Sequence, residues 1–249
     1  MSTGEPPPEA PNPGFTRRRA LTLLGGAGLA AVAAACSRST LTPESSGTTG
    51  AAGSGTTPTT AAAGQADCVL TPEMTEGPFF LDLDMVRRDI TEGKPGTPLT
   101  LELTVVDAGT CAPVRDAAVD IWHTDASGEY SGVGSAPRNS TFLRGIQMTD
   151  GDGKVRFETI YPGWYRGRAV HIHTKVSTGG NEVHTGQLFF PDDVSGGVYE
   201  EGPYARRGEM DTTNQADGIF SRGGSQSTLR MTRSGDGYVG SLTMGVESA

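Results

Sequence analysis

The sequence is poor in aromatic residues, at 6% of 249, and holds only four histidines and three cysteines. Three cysteines are too few for a disulfide-dense scaffold. Basic residues are outnumbered, with 20 Lys and Arg against 29 Asp and Glu, for a net charge of -9. That balance excludes an ordinary nucleic-acid binder, because phosphate recognition needs a clustered basic surface. No block of like charge is long enough to form an interaction tail. No self-similar period marks a solenoid or propeller. No segment carries an amphipathic pattern beyond about two helical turns, and the 36 Gly and 16 Pro oppose long helices.

The N-terminal part differs from the rest. Arg17, Arg18 and Arg19 precede an apolar run from Ala20 to Ala35, which is short for a membrane span. The run Thr16 to Leu21 resembles a twin-arginine export signal. Ala34-Ala35-Cys36 resembles a lipobox, in which the cysteine is lipidated, so residues 1–36 are expected to export the chain and anchor it by a lipid on Cys36 to the outer face of a bacterial cytoplasmic membrane. A plain secretory peptide is the alternative. Residues 37–66 are Ser, Thr, Gly, Ala and Pro with little to bury, which predicts a disordered linker. A flexible coil of about 30 residues spans roughly 30 Å.

Residues 67–249 form the expected folded domain, long enough for one core. It retains Cys68 and Cys111, and an exported domain with two cysteines predicts one disulfide tying its start to a turn after the first strand. Alternation predicts strands at Leu99–Val106, Ala118–His123, Lys154–Ile160, Val170–Val176, Gln187–Phe190 and Tyr238–Met244, with Gly- and Pro-bearing turns between. Many short strands predict an all-β sandwich with short helices and long loops.

Two of the histidines, His171 and His173, occupy alternate positions of one strand. Such residues share a face and can reach one metal ion, though a polar strand facing solvent would read the same. Tyr130, Tyr161 and Tyr165 lie nearby in sequence, while acidic residues and cysteines are sparse, so the usual zinc sets are poorly supplied. Two imidazoles with two phenolates suit ferric iron, since a phenolate is a hard anionic oxygen.

The runs Thr75-Glu76-Gly77-Pro78-Phe79-Phe80, Trp122 through Tyr130, Thr159 through Tyr165, Arg168 through His173 and Gly186 through Phe190 stand in the order of the intradiol ring-cleavage dioxygenases, which this chain resembles from about Cys68 to Met244. The resemblance implies a sandwich holding Fe(III) by Tyr130, Tyr165, His171 and His173. Tyr165 is then the tyrosinate that departs when substrate binds. Arg168 is the active-site arginine, and Gln187 lies beside the substrate ring. It further implies an aromatic diol and O2 as partners, a muconate-type diacid as product, and a homodimer as a common assembly. Five residues separate Tyr165 from His171, fewer than in the family, which leaves Tyr161 as the alternative tyrosinate; the Pro162-Gly163-Trp164-Tyr165 match favours Tyr165.

Two other readings stand beside this one. One is an aromatic- or sugar-binding sandwich lipoprotein without turnover. The other is a hydrolase using His171, His173 and a carboxylate on a divalent ion. His123 is expected to pack at a strand end, His184 to sit solvated in a loop, and Arg206 and Arg207 to form a solvated face.

Overall fold

The computed structural model describes residues 68–248. The expected export signal, lipidated Cys36 and linker lie outside the described residues. The strands are β1 Pro98–Asp107, β2 Ala118–Trp122, β3 Arg144–Met148, β4 Lys154–Ile160, β5 His171–Thr178, β6 Asn181–Phe189, β7 Arg230–Ser234 and β8 Gly237–Val246, with helix α1 at Asp192–Tyr199. They form two four-stranded sheets, ordered β4-β1-β8-β7 and β3-β2-β5-β6. This is the expected β-sandwich. All pairings are antiparallel except β1 with β8.

Sequence alternation builds the core directly. Leu99, Leu101, Leu103 and Val105 of β1 turn inward and are at most 1% exposed, while Thr100, Glu102 and Thr104 turn out. They meet Val119 and Ile121 of β2, Ile172 and Val176 of β5, and Leu188 of β6 from the second sheet. Each fully buried aliphatic side chain contributes about 1.5–3 kcal/mol.

Two strands, β3 and β7, lack the alternation that would have announced them. Gly145 interrupts one, and Thr, Ser and two Arg fill the edge strand β7. β6 is longer than expected. It begins at Asn181, because Gly179 and Gly180 both take positive φ and close a two-residue hairpin with β5. His184 therefore does not sit solvated in a loop. It lies on β6 opposite Val176, 1% exposed, and burial lowers its pKa to about 4.

A segment ahead of β1 covers the outer face of the second sheet. Thr71 N–H ties it to Gly245 O of β8 in the first sheet at 2.8 Å, Met74 N–H to Thr185 O of β6 at 2.9 Å and Arg87 N–H to Ile146 O of β3 at 3.0 Å, so that Gly77 lies against His173 and Phe80 packs 5.0 Å from the Trp122 ring. Its start is pinned by the expected Cys68–Cys111 disulfide, whose Cα atoms are 5.3 Å apart. A second small cluster of Met74, Ala169 and Phe189, with Ile219 and Phe220 against it, seals part of this face.

Candidate active site

β5 places His171 and His173 on the face opposite Ile172, which is in the core. Register sets Trp122 of β2 and Gln187 of β6 on either side of His173. The Trp122 indole lies parallel to the His173 ring, 3° between planes and 5.0 Å between centroids. The strand is not a solvent face: His171 and His173 are 3% and 1% exposed.

The two tyrosines arrive on loops that are stitched together. Tyr130 follows a turn in which the Asp125 carboxylate accepts from Ser127 N–H at 2.9 Å and Glu129 N–H at 3.2 Å. Tyr165 follows Gly163, whose N–H bonds to Asp125 O at 3.1 Å and whose O accepts from Thr124 Oγ1 at 2.6 Å. The backbones touch here. A Cβ on Gly163 would fall 2.3 Å from Asp125 O, and one on Gly128 would fall 2.4 Å from Trp164 O, at a φ of +82°. Arg207 closes the junction. It lies over the Trp164 ring at 4.2 Å and donates to Trp164 O, so it is not the solvated residue expected, whereas Arg206 is exposed.

Four donor atoms converge as a result. The Nε2 of His171 lies 3.4 Å from Tyr130 Oη, 3.2 Å from Tyr165 Oη and 3.2 Å from His173 Nε2. His171 Nδ1–H donates to Ala169 O at 2.7 Å, which fixes the tautomer and leaves Nε2 a bare lone pair aimed at the cluster. Burial keeps both rings neutral, taking His171 down to about 3 and His173 well below its ordinary value. Burial also raises both phenols, that of Tyr130 strongly. Among the described residues no group of three His, Cys, Asp or Glu is arranged to hold a metal. A cation at the histidine pair would therefore draw on the phenol oxygens, and a multiply charged one would favour their ionisation. The donor set fits such an ion: lone pairs meet there in greater number than hydrogen bonds among them can use.

Arg168 borders the cluster. Its Nη1 is 3.3 Å from Tyr165 Oη and 3.5 Å from His171 Nε2, and Nη2 donates to Gln187 Oε1. Gln187 Nε2 donates in turn to Thr75 O at 2.9 Å. All six residues expected at the site are thus brought together. Tyr161 is elsewhere. It is fully buried in the main core, bonded to Ser195 Oγ at 2.8 Å and packed 4.5 Å from the Phe190 ring.

The site is lopsided. Tyr130 is 5% exposed, stacked on Phe79 at 4.6 Å, and its loop is held by Arg144, which donates to Ser131 Oγ and Ser131 O at 2.8 Å each. Tyr165 and Arg168 are half-buried. Phe79, Arg144, Ser131 and Asp217, which bonds to Arg168, were not anticipated as site residues. Arg144 opens β3, and nothing in its local pattern marked it for this role. His123 packs as expected, with Nε2 accepting from Thr159 Oγ1 at 2.7 Å.

The family model described as "Dioxygenase" matches residues 71–196. The protocatechuate 3,4-dioxygenase beta chain of Burkholderia cepacia is 34% identical over 127 residues, covering 45% of this chain and 53% of that one. Catechol 1,2-dioxygenase 1 of Acinetobacter lwoffii is 28% identical over 164 residues, covering 56% and 52%. The chain therefore spans about half the length of these curated relatives. The solved intradiol ring-cleavage dioxygenase of Tetranychus urticae superimposes with a TM-score of 0.69 at 36% identity, over 72% of this chain and 95% of that one. A family model over half of the chain and a solved relative 36% identical over 72% of it show that the chain belongs to the intradiol dioxygenase family.

Proposed function

We propose that this protein is an Fe(III)-dependent dioxygenase that opens a catechol-type aromatic ring between its two hydroxyl-bearing carbons with O2, giving a muconate-type diacid. The observation that carries this reading is the convergence of two neutral imidazole Nε2 atoms and two phenol oxygens beside an arginine. His171, His173, Tyr130 and Tyr165 would hold the iron, which when bound supplies Lewis acidity and draws electron density from a chelated diol.

The protein's own residues divide the remaining work. Tyr130 is packed on all sides and suits a permanent ligand. Tyr165 is half-buried and less tightly packed, which suits the tyrosine that would give way to substrate. As a phenolate, its Oη would accept a proton from an incoming diol hydroxyl, and Arg168 Nη1 is placed to stabilise it on either side of that transfer. The Arg168 guanidinium then faces the space where negative charge builds on the substrate. Gln187, held at one end by Arg168 and at the other by Thr75, forms a fixed polar wall beside the ring. Phe79 and the Trp122–His173 stack keep the inner side dry.

The test is the visible spectrum of the iron-loaded full chain, before and after catechol under argon. The expected result is a red-brown tyrosinate-to-Fe(III) band that moves to longer wavelength on chelation, followed by ring opening when O2 is admitted. A colourless protein with stoichiometric iron would overturn the two-tyrosinate site.

Export and lipid anchoring at Cys36 form part of the same reading, motivated by Arg17–Arg19 and Ala34-Ala35-Cys36. The Cys68–Cys111 disulfide supports an oxidising compartment. Metabolic labelling with radioactive palmitate should mark the chain, and Cys36→Ala should abolish the label.

A further inference from the structure

Arg168 has one partner that neither the proposed metal site nor the substrate accounts for. Asp217 lies 49 residues further along the chain, and its Oδ2 accepts from Arg168 Nε at 2.9 Å. The same oxygen accepts from Ala169 N–H at 2.8 Å. Its other oxygen takes Ile219 N–H at 2.6 Å and Phe220 N–H at 3.2 Å. The Asp217 backbone N–H bonds back to Thr213 O and Asn214 O, both at 3.2 Å. The carboxylate is thus immobilised from both sides. Its side chain is 1% exposed, against 16% for Arg168.

A guanidinium is a rigid plane with its N–H donors in a fixed fork. With Nε tied to Asp217 and Nη2 tied to Gln187, the plane has no free rotation left. Nη1 is then directed at Tyr165 Oη and His171 Nε2. Without Asp217 the half-buried arginine would be free to turn away from the cluster.

We propose that Asp217 is a positioning residue for ring cleavage, one that orients the Arg168 guanidinium toward the reacting centre. The inference rests on the dioxygenase reading above. Burial alone would raise the Asp217 pKa, but the N–H groups of Ala169 and Ile219 and the guanidinium outweigh it and hold the carboxyl below its usual range. Asp217 is therefore charged at neutral pH. A purely structural role, clamping the loop at Ile219 and Phe220, is the competing account.

Asp217→Asn separates the two. It keeps an oxygen for the Ile219 and Phe220 N–H groups and removes the charge opposite Arg168. In the iron-loaded full chain it is expected to lower kcat by roughly tenfold to a hundredfold on catechol, with a smaller change in KM. The same substitution made in an Arg168→Gln background should have no further effect on kcat, because the group it acts through is gone. A loss of the same factor in both backgrounds would overturn the proposal in favour of the structural role.

A second readout needs neither iron nor turnover. In 1H–15N spectra of the metal-free full chain, the Arg168 Nε–H resonance, assigned by its loss in Arg168→Gln, should be protected from solvent exchange. Asp217→Asn should move it toward the exposed arginines. A wild-type resonance that exchanges as fast as theirs would overturn the proposal even if Asp217→Asn fails to fold. Absence of ring cleavage in the wild type would instead sink the dioxygenase reading, while the Nε–H signal still reports on the Asp217–Arg168 pair.

Discussion

The two faces of β5 make the most instructive contrast in the molecule. Ile172 and Val176 point into the core, against β1 and β2, as alternation requires. His171 and His173, one residue away on either side of Ile172, point outward and are buried just as deeply. In the other sheet, β1 keeps its outward residues half-buried or exposed and reads as an ordinary amphipathic strand. The difference lies in what covers each sheet. The outer face of β1 meets solvent, whereas that of β5 is roofed by the segment ahead of β1 and by the loops bearing Tyr130 and Tyr165. One face of β5 serves stability, and the proposed chemistry falls to the other.

Replacing outward and inward residues on this strand should break different properties. His171→Ala should produce the largest effect. Loss of one donor should reduce ring cleavage by roughly a thousandfold or more, the equivalent of several kcal/mol of metal assistance. Iron content and the tyrosinate band should fall with it, while thermal stability of the metal-free chain changes little. Ile172→Ala should do the reverse. It opens a cavity worth about 2–5 kcal/mol of stability, measured by denaturant unfolding, with the band position of the loaded protein retained. A spectrum lost in Ile172→Ala at a temperature where the fold persists would show that the two faces are not separable.

The roof can be tested apart from either face. Cys68→Ser with Cys111→Ser opens the disulfide that pins its start, which closes a loop of 43 residues. A destabilisation of about 3–4 kcal/mol is expected by the chain-entropy relation, read as a lower denaturant midpoint. Reductant should lower the wild-type midpoint by the same amount and leave the double variant unmoved.

The smallest effect expected is one of pH. Asp120, on the outer face of β2 across from Lys175, has its pKa raised to about 7, chiefly by burial and against the pull of Arg144 and Lys175. A carboxyl with a folded pKa above its unfolded value binds its proton more tightly in the fold. Its contribution therefore favours the fold at low pH and is lost as pH rises from 3.8 to about 7. Asp120→Asn should remove that slope, with a gain of about 1–2 kcal/mol at pH 8 relative to pH 5 after discounting for solvent access. An unchanged slope between pH 5 and pH 8 would mean that Asp120 stays ionised in the fold.

Much of the site was legible because its ligands are local. His171 and His173 sit two apart on a strand, Arg168 lies three before them, and Tyr165 belongs to a short Pro-Gly motif. Gln187 could be assigned to the site, beside the substrate ring, only through the resemblance; the β5–β6 register, which sets it opposite His173, is a product of the fold. His184 is buried rather than solvated because Gly179-Gly180 forms a tight hairpin turn that starts β6 at Asn181, which the local Gly-rich pattern does not distinguish from a loop. Asp217 and Arg144 left little or no local mark, since their roles depend on contacts to Arg168 and Ser131 that only folding creates.

The sequence by itself determined the sandwich, through period-two alternation in β1, β4 and β5, and determined the chemistry available, through two histidines and two tyrosines with few competing carboxylates. Tertiary structure alone decided that Tyr165 and not Tyr161 meets the histidine pair. Three residues separate the two tyrosines, yet Tyr161 follows the end of β4 into the core while Tyr165 rides a loop that Gly163 lets pass against the Tyr130 turn. Tertiary structure also decided that the polar face of β5 is buried, because burial depends on the roof laid over a strand and not on the strand's own pattern.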